Sequence, residues 1–203
     1  MKISYAITVC NELAEVKDLL DLLLRHKREQ DEIVVLYDNN GTKETFEYLQ
    51  TVKGIKLVHD NFQNDFAEWK NKLTMLCSGD YIFNIDADEY PSSDLIMILP
   101  GILENNPTVE AYLVPRVNTV IGITPDHIAK WGWNVNEAGW INWPDWQVRI
   151  YKNTPEIRWK NRVHETLEGI KTYANLPREQ GYALQHPKTI ERQARQNAYY
   201  ETL

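Results

Sequence analysis

The sequence predicts an α/β fold in which a mostly parallel central sheet is flanked by helices. Strand-like and helix-like segments alternate four times within the first ninety residues of the 203-residue chain. Such alternation is typical of β-α-β units and a parallel sheet. Polar and acidic residues directly follow these strand-like segments, at the sheet edge where ligands bind in folds of this kind.

The first half of the chain alternates short β-rich runs with amphipathic segments. Apolar side chains recur at three- and four-residue spacing between Leu13 and Leu24, which predicts a helix with one apolar face. In chain order, the remaining predicted elements are strands at 3–9, 32–37 and 55–59, helices at 42–50 and 66–77, a strand from Tyr81 and a helix from about Ser92.

The second half is predicted to be less regular. Its predicted elements are a strand at 110–117, an irregular segment at 118–145, the two strands of a hairpin at 147–151 and 156–159, a strand at 182–185 and a terminal helix at 189–203. Four of the seven tryptophans lie in the irregular segment. A loop of this length inside a compact domain is usually functional.

The most informative segment is the end of the strand that begins at Tyr81. The apolar run is followed by three acids within four residues, Asp86, Asp88 and Glu89. Uncompensated buried carboxylates are costly, so such a cluster is expected to meet solvent or a cation. Carboxylate oxygens suit Mg²⁺ or Mn²⁺, which bridge to the phosphates of nucleotides. The alternative is a solvated acidic turn before the next helix.

Polar residues at the ends of neighbouring strands favour the metal interpretation. Asn11 and Glu12 follow the first predicted strand, and Asp38 follows the second. The carboxyl ends of parallel strands meet at one edge of the sheet, so these side chains are expected to lie near the acid cluster.

Composition argues against several classes of function. The chain has 43% hydrophobic residues, 25% charged residues and a net charge of −7, which is typical of a globular domain without a nucleic-acid partner. The basic spots at 27–28 and 192–195 are interpreted as solvated helix faces, and Cys10 and Cys77 as buried reduced thiols. The sequence shows neither a signal peptide nor an apolar run near the ~20 residues of a membrane span, so a cytoplasmic location is expected.

The order and spacing of these segments resemble those of family 2 glycosyltransferases, which are nucleotide-sugar-dependent enzymes with the GT-A fold. The chain looks similar to small bacterial and viral members that glycosylate lipopolysaccharide cores, peptides or capsids. The resembling segments are 7–12, 32–38, 65–71, 80–89, 145–151 and 163–165. The resemblance implies one GT-A domain, with a nucleotide-sugar-binding half at 1–105 and an acceptor-binding half, including a small antiparallel portion, at 106–203.

The resemblance implies a donor site for a nucleotide-diphosphate sugar. Asp38 matches the acid that contacts the base or ribose, and Asn11 and Glu12 match the first nucleotide loop. Lys70-Asn71 matches a basic-Asn pair near the nucleotide. The family usually has a second acid after Asp38, and Asn39-Asn40-Gly41 stands there instead, so base specificity is not predicted.

The resemblance also implies a bound Mn²⁺ or Mg²⁺. Asp86 and Asp88 match the Asp-x-Asp metal motif, with Asp88 as the direct ligand. His164 and His186 are alternative imidazole ligands. Arg149 is expected to pair with a phosphate through its guanidinium fork, with Arg116, Arg158 and Arg162 as alternatives.

Transfer with inversion at the anomeric carbon is implied by the same family. A carboxylate must then take the proton of the acceptor hydroxyl. Asp145 is the first candidate because it precedes Gln147 and Arg149, which resemble the family's Gln-x-x-Arg-Trp motif, and Glu165 is the second. The acceptor is expected to be a glycan, a lipid-linked molecule or a protein. The chain is compatible with being one module of a longer polypeptide.

Two other functions are compatible with parts of this pattern. A nucleotidyltransferase of similar fold would bind nucleotide and metal, but it usually has a Gly-rich basic loop after its first strand. A non-catalytic carbohydrate-binding module would use exposed tryptophans but would not need acids at strand ends. The four tryptophans fit either an acceptor groove or lid, or a small core that holds a long loop in place: Trp131, Trp133, Trp140 and Trp143.

Overall fold

Nine of the strands form one mixed sheet in the computed structural model, which describes residues 1–200. The strands are β1 (Ile3–Val9), β2 (Glu32–Asp38), β3 (Lys56–Asp60), β4 (Tyr81–Asp86), β5 (Tyr90–Pro91), β6 (Ala111–Ile121), β7 (Ile141–Lys152), β8 (Arg158–Lys160), β9 (Thr166–Glu168), β10 (Tyr173–Asn175) and β11 (Leu184–Thr189). The helices are α1 (Leu13–His26), α2 (Lys43–Thr51), α3 (Phe66–Leu76), α4 (Ser93–Asn105), α5 (Pro125–Trp131) and α6 (Ile190–Tyr200).

The sheet has the strand order β3-β2-β1-β4-β7-β6-β11-β5, and β10 also pairs with β6. Strands β1 to β4 are mutually parallel where they pair, whereas β7 runs antiparallel to both β4 and β6. β8 and β9 form a separate antiparallel pair. The predicted α/β class, with a mostly parallel sheet and a small antiparallel portion, is therefore confirmed.

Helices cover both faces of the sheet because β1 and β2 are apolar on both sides. Alternate residues of β1, such as Ile3 and Ile7, pack with α1, α2 and α4 in one core. Ala6 lies in the opposite core with Leu36 of β2 and Leu73 of α3. Each fully buried aliphatic side chain stabilises the fold by about 1.5–3 kcal/mol.

The segment 118–145 is more regular than the sequence predicted. β6 extends to Ile121, α5 begins after the capping box at Thr124, and β7 begins at Ile141. The prediction failed because β6 and β7 pair with each other along this stretch, and such tertiary pairing overrides local glycine and proline signals.

The predicted hairpin of 147–151 with 156–159 is wrong. β7 lies between β4 and β6, so both of its edges are already hydrogen-bonded. The next strand, β8, pairs instead with β9, with Trp159 opposite Leu167.

The strand predicted at 182–185 lies later in the chain, at Leu184–Thr189, and continues through Pro187. Proline is tolerated there because β11 pairs with β6 over its whole length, but with β5 only at Leu184 and Gln185. The terminal helix was predicted to residue 203, and residues 201–203 lie outside the described part of the chain.

Both cysteines are free thiols. Cys77 is buried as predicted, whereas Cys10 is half-buried, and burial raises the pKa of each thiol to about 12. Across residues 1–200, the helices are all too short or too polar to span a bilayer.

Candidate functional site

The carboxyl ends of β1, β2 and β4 lie side by side. Thr8 of β1 is in register with Asp86 of β4, and Val9 is in register with Tyr37 of β2. The loops that follow these strands therefore share one edge of the sheet, where Asn11, Glu12 and Asp38 lie. This grouping of strand-end residues agrees with the sequence prediction.

Asp38 is buried, and its carboxylate organises the loop after β2. Its Oδ1 accepts hydrogen bonds from the backbone N–H and side-chain amide of Asn40, both at 3.0 Å, and from the Phe62 N–H at 3.1 Å. A Cβ on Gly41 would lie 2.2 Å from the carbonyl oxygen of Cys10, so glycine is needed for the two loops to approach.

Glu12 closes the turn between β1 and α1. Its Oε2 accepts from the backbone N–H groups of Cys10 at 2.8 Å and Asn11 at 2.9 Å, and its Oε1 is 3.7 Å from Arg192 Nη2. The Asn11 side chain is exposed at this edge. Asn11 and Glu12 thus form one structured loop beside the acid cluster.

Asp86 is held by two buried cations. Its Oδ2 accepts from Arg149 Nη2 at 2.6 Å, and its Oδ1 is 3.6 Å from Lys70 Nζ. Burial alone would raise the pKa of Asp86, but the charges of Arg149, Lys70 and Arg116 outweigh it and hold the pKa below its ordinary value. Asp86 is therefore ionised at neutral pH.

Asp88 faces cations from the opposite end of the chain. Its Oδ2 lies 3.3 Å from His186 Nε2, 3.3 Å from Arg192 Nη2 and 3.8 Å from Lys188 Nζ. Burial raises the pKa of Asp88, but His186 and Lys188 outweigh burial and lower it. The interpretation of Arg192 as part of a solvated helix face was wrong, since this side chain points into the site.

The contacts of His186 define the tautomer of its neutral ring. The amide nitrogen of Asn118 donates to Asp145, so Asn118 Oδ1 is the atom that accepts from His186 Nδ1 at 2.7 Å. When the ring is neutral, Nε2 is the unprotonated nitrogen; when the ring is protonated, Nε2 donates to the Asp88 carboxylate that it faces. Two electron-rich atoms at this distance attract each other when a proton or a metal cation lies between them.

A metal site formed by protein side chains alone is not found within residues 1–200, where no group of three or more His, Cys, Asp or Glu side chains is suitably arranged. Asp88 and His186 supply two donors of the kinds that Mn²⁺ accepts. They fit a divalent cation that takes its remaining ligands from solvent and substrate.

Asp145 lies on β7 opposite Arg116 of β6. Its Oδ2 accepts from Arg116 Nε at 2.8 Å, Arg116 Nη2 at 2.6 Å and Asn118 at 2.8 Å, and its Oδ1 accepts from Gln147 at 2.7 Å. Burial raises the pKa of Asp145, but Arg116 and the amide donors outweigh burial and lower the pKa below its ordinary value. The carboxylate is therefore ionised at neutral pH. Its side chain remains 24% exposed.

Glu165 is paired with Lys70. Its Oε1 accepts from Lys70 Nζ at 2.6 Å, and the same ammonium lies 4.7 Å from the centre of the Trp159 ring. Lys70 therefore links Glu165 to Asp86. The Asn71 amide bonds to the backbone of Trp159, donating at 2.8 Å and accepting at 2.9 Å.

His164 is exposed and has a φ of 55°, a left-handed conformation that side chains other than glycine rarely adopt. It directly precedes Glu165. The structure thus places His186 beside Asp88, and His164 in the loop that supplies the partner of Lys70.

The four tryptophans form two pairs, and each side chain is half-buried. Trp131 and Trp133 have ring centres 4.7 Å apart, with His127 stacked on Trp131, and Trp140 and Trp143 have ring centres 4.9 Å apart. Trp143 lies two residues before Asp145 on β7.

Sequence reasoning missed Lys188 and the orientation of Arg192, and it named Arg116 only as an alternative. One signal was available: Lys188 is two residues after His186, so the two side chains lie on the same face of a strand. The approach of Arg192 to Asp88 depends on how α6 packs, which periodicity does not report.

The fold is similar to that of TarS from S. aureus. A crystal structure of TarS 1-349 in complex with UDP-GlcNAc matches with a TM-score of 0.65 at 13% identity, covering 93% of this chain and 59% of that chain. The complex of TarS 1-349 with UDP matches with a TM-score of 0.66 at 13% identity, covering 92% and 60%. At this identity the likeness shows the fold, and it confirms the expected GT-A architecture.

Among curated proteins, a TPR repeat-containing protein of Synechococcus elongatus is 25% identical over 163 residues, which are 80% of this chain and 35% of that protein. The chain thus spans about a third of this relative and about three-fifths of the TarS 1-349 structures. The family model for glycosyl transferase family 2 matches residues 4–179, with the strand-end acids and the β6–β7 region inside the match. Sequence match, fold and motif order agree, and the chain belongs to glycosyl transferase family 2.

Proposed function

We propose that this chain transfers a sugar from a nucleotide-diphosphate donor to an acceptor hydroxyl with inversion at the anomeric carbon. The main support is the meeting of Asp86, Asp88 and Asp145 at one end of the sheet, each paired with its own cations. This arrangement suits a reaction in which negative charge builds on a leaving diphosphate while a base takes a proton. Family membership favours it over nucleotidyl transfer or passive carbohydrate binding.

The donor nucleoside is assigned to the loops after β1 and β2. Asn11 is exposed at the sheet edge and so is available to the base or ribose, and the buried Asp38 fixes the conformation of the neighbouring loop. In this proposal residues 1–105 bind the donor and residues 106–203 bind the acceptor. Lys70, Asn71 and Arg149 then position the donor site indirectly. Each already has a partner within the chain: Glu165, the backbone of Trp159 and Asp86, respectively.

We assign Asp88 and His186 as the protein ligands of Mn²⁺ or Mg²⁺, with Asp86 beside them. His186 is preferred to His164 because its Nε2 faces the Asp88 carboxylate at 3.3 Å. Such a cation neutralises charge on the departing diphosphate when bound. Lys188 and Arg192 add positive charge at the same place and are assigned to the diphosphate oxygens.

Asp145 is assigned as the base. It is ionised, partly exposed and two residues after Trp143. We assign the Trp140–Trp143 pair to stacking with an acceptor sugar or an apolar acceptor group. The acceptor oxygen forms a bond to the anomeric carbon as the bond to the diphosphate oxygen breaks, and Asp145 takes the hydroxyl proton. Glu165 is the second candidate, and its carboxylate is held by Lys70.

Two variants test these assignments separately. Asp88→Asn should abolish the Mn²⁺-dependent part of the thermal shift produced by UDP, because one charged ligand is lost. Asp145→Asn should preserve that shift but lower sugar transfer by about 10²–10⁴-fold, because the proton acceptor is lost. A panel of nucleotide sugars scored by thermal shift supplies the donor for the transfer assay.

Each assignment has a clear contrary result. A UDP shift in Asp88→Asn that still depends on Mn²⁺ as in the unmodified protein would reject Asp88 as a ligand. Transfer by Asp145→Asn at the unmodified rate would reject Asp145 as the base, and Glu165→Gln would then be the variant to measure.

A further inference from the structure

The third acid of the cluster, Glu89, is more deeply buried than its neighbours. Its side chain is 0% exposed, whereas those of Asp86 and Asp88 are 33% and 13% exposed. A carboxylate enclosed in this way cannot contact a donor, an acceptor or a metal ion at the open edge of the sheet. Its function must therefore act through the groups that surround it.

Two guanidiniums and one backbone amide surround Glu89. Its Oε1 accepts from Arg149 Nη2 at 2.6 Å and from Arg116 Nη1 at 2.9 Å. Its Oε2 accepts from the Asp86 N–H at 3.3 Å, and its own N–H donates to the Asp86 carbonyl at 2.9 Å. Glu89 thus fixes both the turn of the Asp-x-Asp motif and two arginines from neighbouring strands.

Each of these arginines also holds one acid of the proposed site. Arg149 donates to Asp86 at 2.6 Å, and Arg116 donates twice to Asp145, at 2.6 and 2.8 Å. Consecutive ion pairs therefore connect the Asp-x-Asp motif through Glu89 to the candidate base. We call these residues the acid–guanidinium network: Asp86, Arg149, Glu89, Arg116 and Asp145.

A second set of contacts also connects the candidate base to the Asp-x-Asp motif. Asn118 donates to Asp145 at 2.8 Å and accepts from His186 Nδ1 at 2.7 Å, while His186 Nε2 faces Asp88 at 3.3 Å. The candidate base and the motif are thus held on two sides. Of these two connections, the one through Glu89 consists of charged groups throughout, and its central members Glu89 and Arg149 are buried.

We propose that Glu89 is a positioning residue that sets the place of Asp145 relative to the donor-binding acids, an inference that rests on the proposed function. Its negative charge holds Arg116 and Arg149 in the geometry that orients their other partners. Without that charge, each guanidinium loses one of its two carboxylate partners, and the orientation of Asp145 toward the acceptor is less firmly fixed. A displacement of about 1 Å is enough to slow an enzymatic reaction about 10²-fold.

The test is Glu89→Gln, which keeps the side-chain shape and removes the charge. We expect kcat for sugar transfer to fall 10- to 100-fold, while the Kd for UDP with Mn²⁺ changes less than about threefold. Asp31→Asn is the matched control, because Asp31 is also a buried acid bonded twice to an arginine, at the opposite end of the strands. This control should lower Tm and leave kcat unchanged.

A double variant separates positioning from a general effect on structure. If Glu89 acts through Asp145, then Glu89→Gln should not slow the residual transfer of Asp145→Asn any further. An additional 10-fold loss in the double variant would overturn the proposal, as would a kcat of Glu89→Gln within threefold of the unmodified protein. If Glu89→Gln does not fold, Glu89→Asp is measured instead and judged by the same kcat criterion. This variant keeps the negative charge but moves it away from the two arginines.

The outcome for Asp145 alone identifies which proposal fails. Full transfer by Asp145→Asn would overturn the assigned base and this inference with it. An inactive Asp145→Asn together with a fully active Glu89→Gln would overturn this inference alone.

Discussion

At the residue scale, five acids of the candidate site are paired with cations from distant parts of the chain. The pairs include Asp86 with Arg149, Asp88 with Arg192, Glu89 with Arg116, Asp145 with Arg116, and Glu165 with Lys70. Buried ion pairs add little net stability because desolvation offsets their attraction. Their concentration at one sheet edge is therefore better explained by function than by stability.

Arg192 provides a prediction at this scale. Its guanidinium lies 3.3 Å from Asp88 and 3.7 Å from Glu12, between the Asp-x-Asp motif and the loop after β1. If Lys188 and Arg192 bind the diphosphate as proposed, Arg192→Gln is expected to weaken UDP binding about tenfold, equal to ~1.4 kcal/mol, because one cation is lost from the proposed diphosphate site. Isothermal titration calorimetry with UDP and Mn²⁺ measures this change.

Arg195 is the matched control, since it lies on the same helix and its side chain is exposed. Arg195→Gln removes the same charge from the molecule and should leave the Kd for UDP unchanged. Equal losses in both variants would mean that net charge, and not the position of Arg192, decides the affinity.

At the element scale, the site depends on strands that are far apart in sequence. β4 supplies Asp86, β7 supplies Asp145 and Arg149, β6 supplies Arg116, and β11 supplies His186. Antiparallel pairing of β7 with both β4 and β6 brings these residues together. Local sequence indicated that β7 exists but not which strands lie beside it.

The start of α4 allows a prediction about stability. Ser92 Oγ accepts from the Leu95 N–H at 3.0 Å and donates to the Gly181 carbonyl, so it caps the helix and ties it to a distant loop. Ser92→Ala should lower the free energy of unfolding by about 1–2 kcal/mol. Urea denaturation measures this loss, and the Kd for UDP should not change.

Ser93 offers a control one residue further on, inside the first turn of α4. Ser93→Ala is expected to alter stability by less than about 0.5 kcal/mol. An equal loss in both variants would contradict a specific role for the Ser92 cap.

At the scale of the whole molecule, the amino ends of the strands have a polar cluster of their own. Glu32 accepts from Ser4 Oγ, Lys2 Nζ and the N–H of Ser78, and so joins β1, β2 and the segment before β4. Burial raises the pKa of Glu32, but these hydrogen bonds outweigh it and lower the pKa to about 2.

Glu32 therefore makes the stability of the fold depend on pH. Because its folded-state pKa is depressed, its contribution is complete above the ordinary value of 4.5 and is lost as pH falls through about 2. Glu32→Gln should lower the free energy of unfolding by about 1–2 kcal/mol at pH 7, and this difference should vanish near pH 2. Urea denaturation of both proteins across this range is the measurement.

The control for Glu32 is Asp21, which forms an exposed ion pair with Arg25 one helical turn away. Asp21→Asn should change stability by less than about 0.5 kcal/mol at either pH. A Glu32→Gln difference that stays constant from pH 7 to pH 2 would contradict the assigned pKa.

The sequence by itself determined the α/β class, the position of the parallel strands and the presence of Asn11, Asp38 and Asp86 at their ends. These features follow from local periodicity and from the rule that parallel strands share one carboxyl edge. Both are present in a single stretch of chain, so no knowledge of distant contacts was needed.

Only the tertiary structure decided the partners of β7, the path of β11 and the cations that face each acid. Arg116, Lys188 and Arg192 are separated from Asp88 by 28 to 104 residues along the chain, and only packing brings them near the acid cluster. Strand pairing and ion pairing are long-range choices among many compatible partners, and local pattern does not distinguish among them.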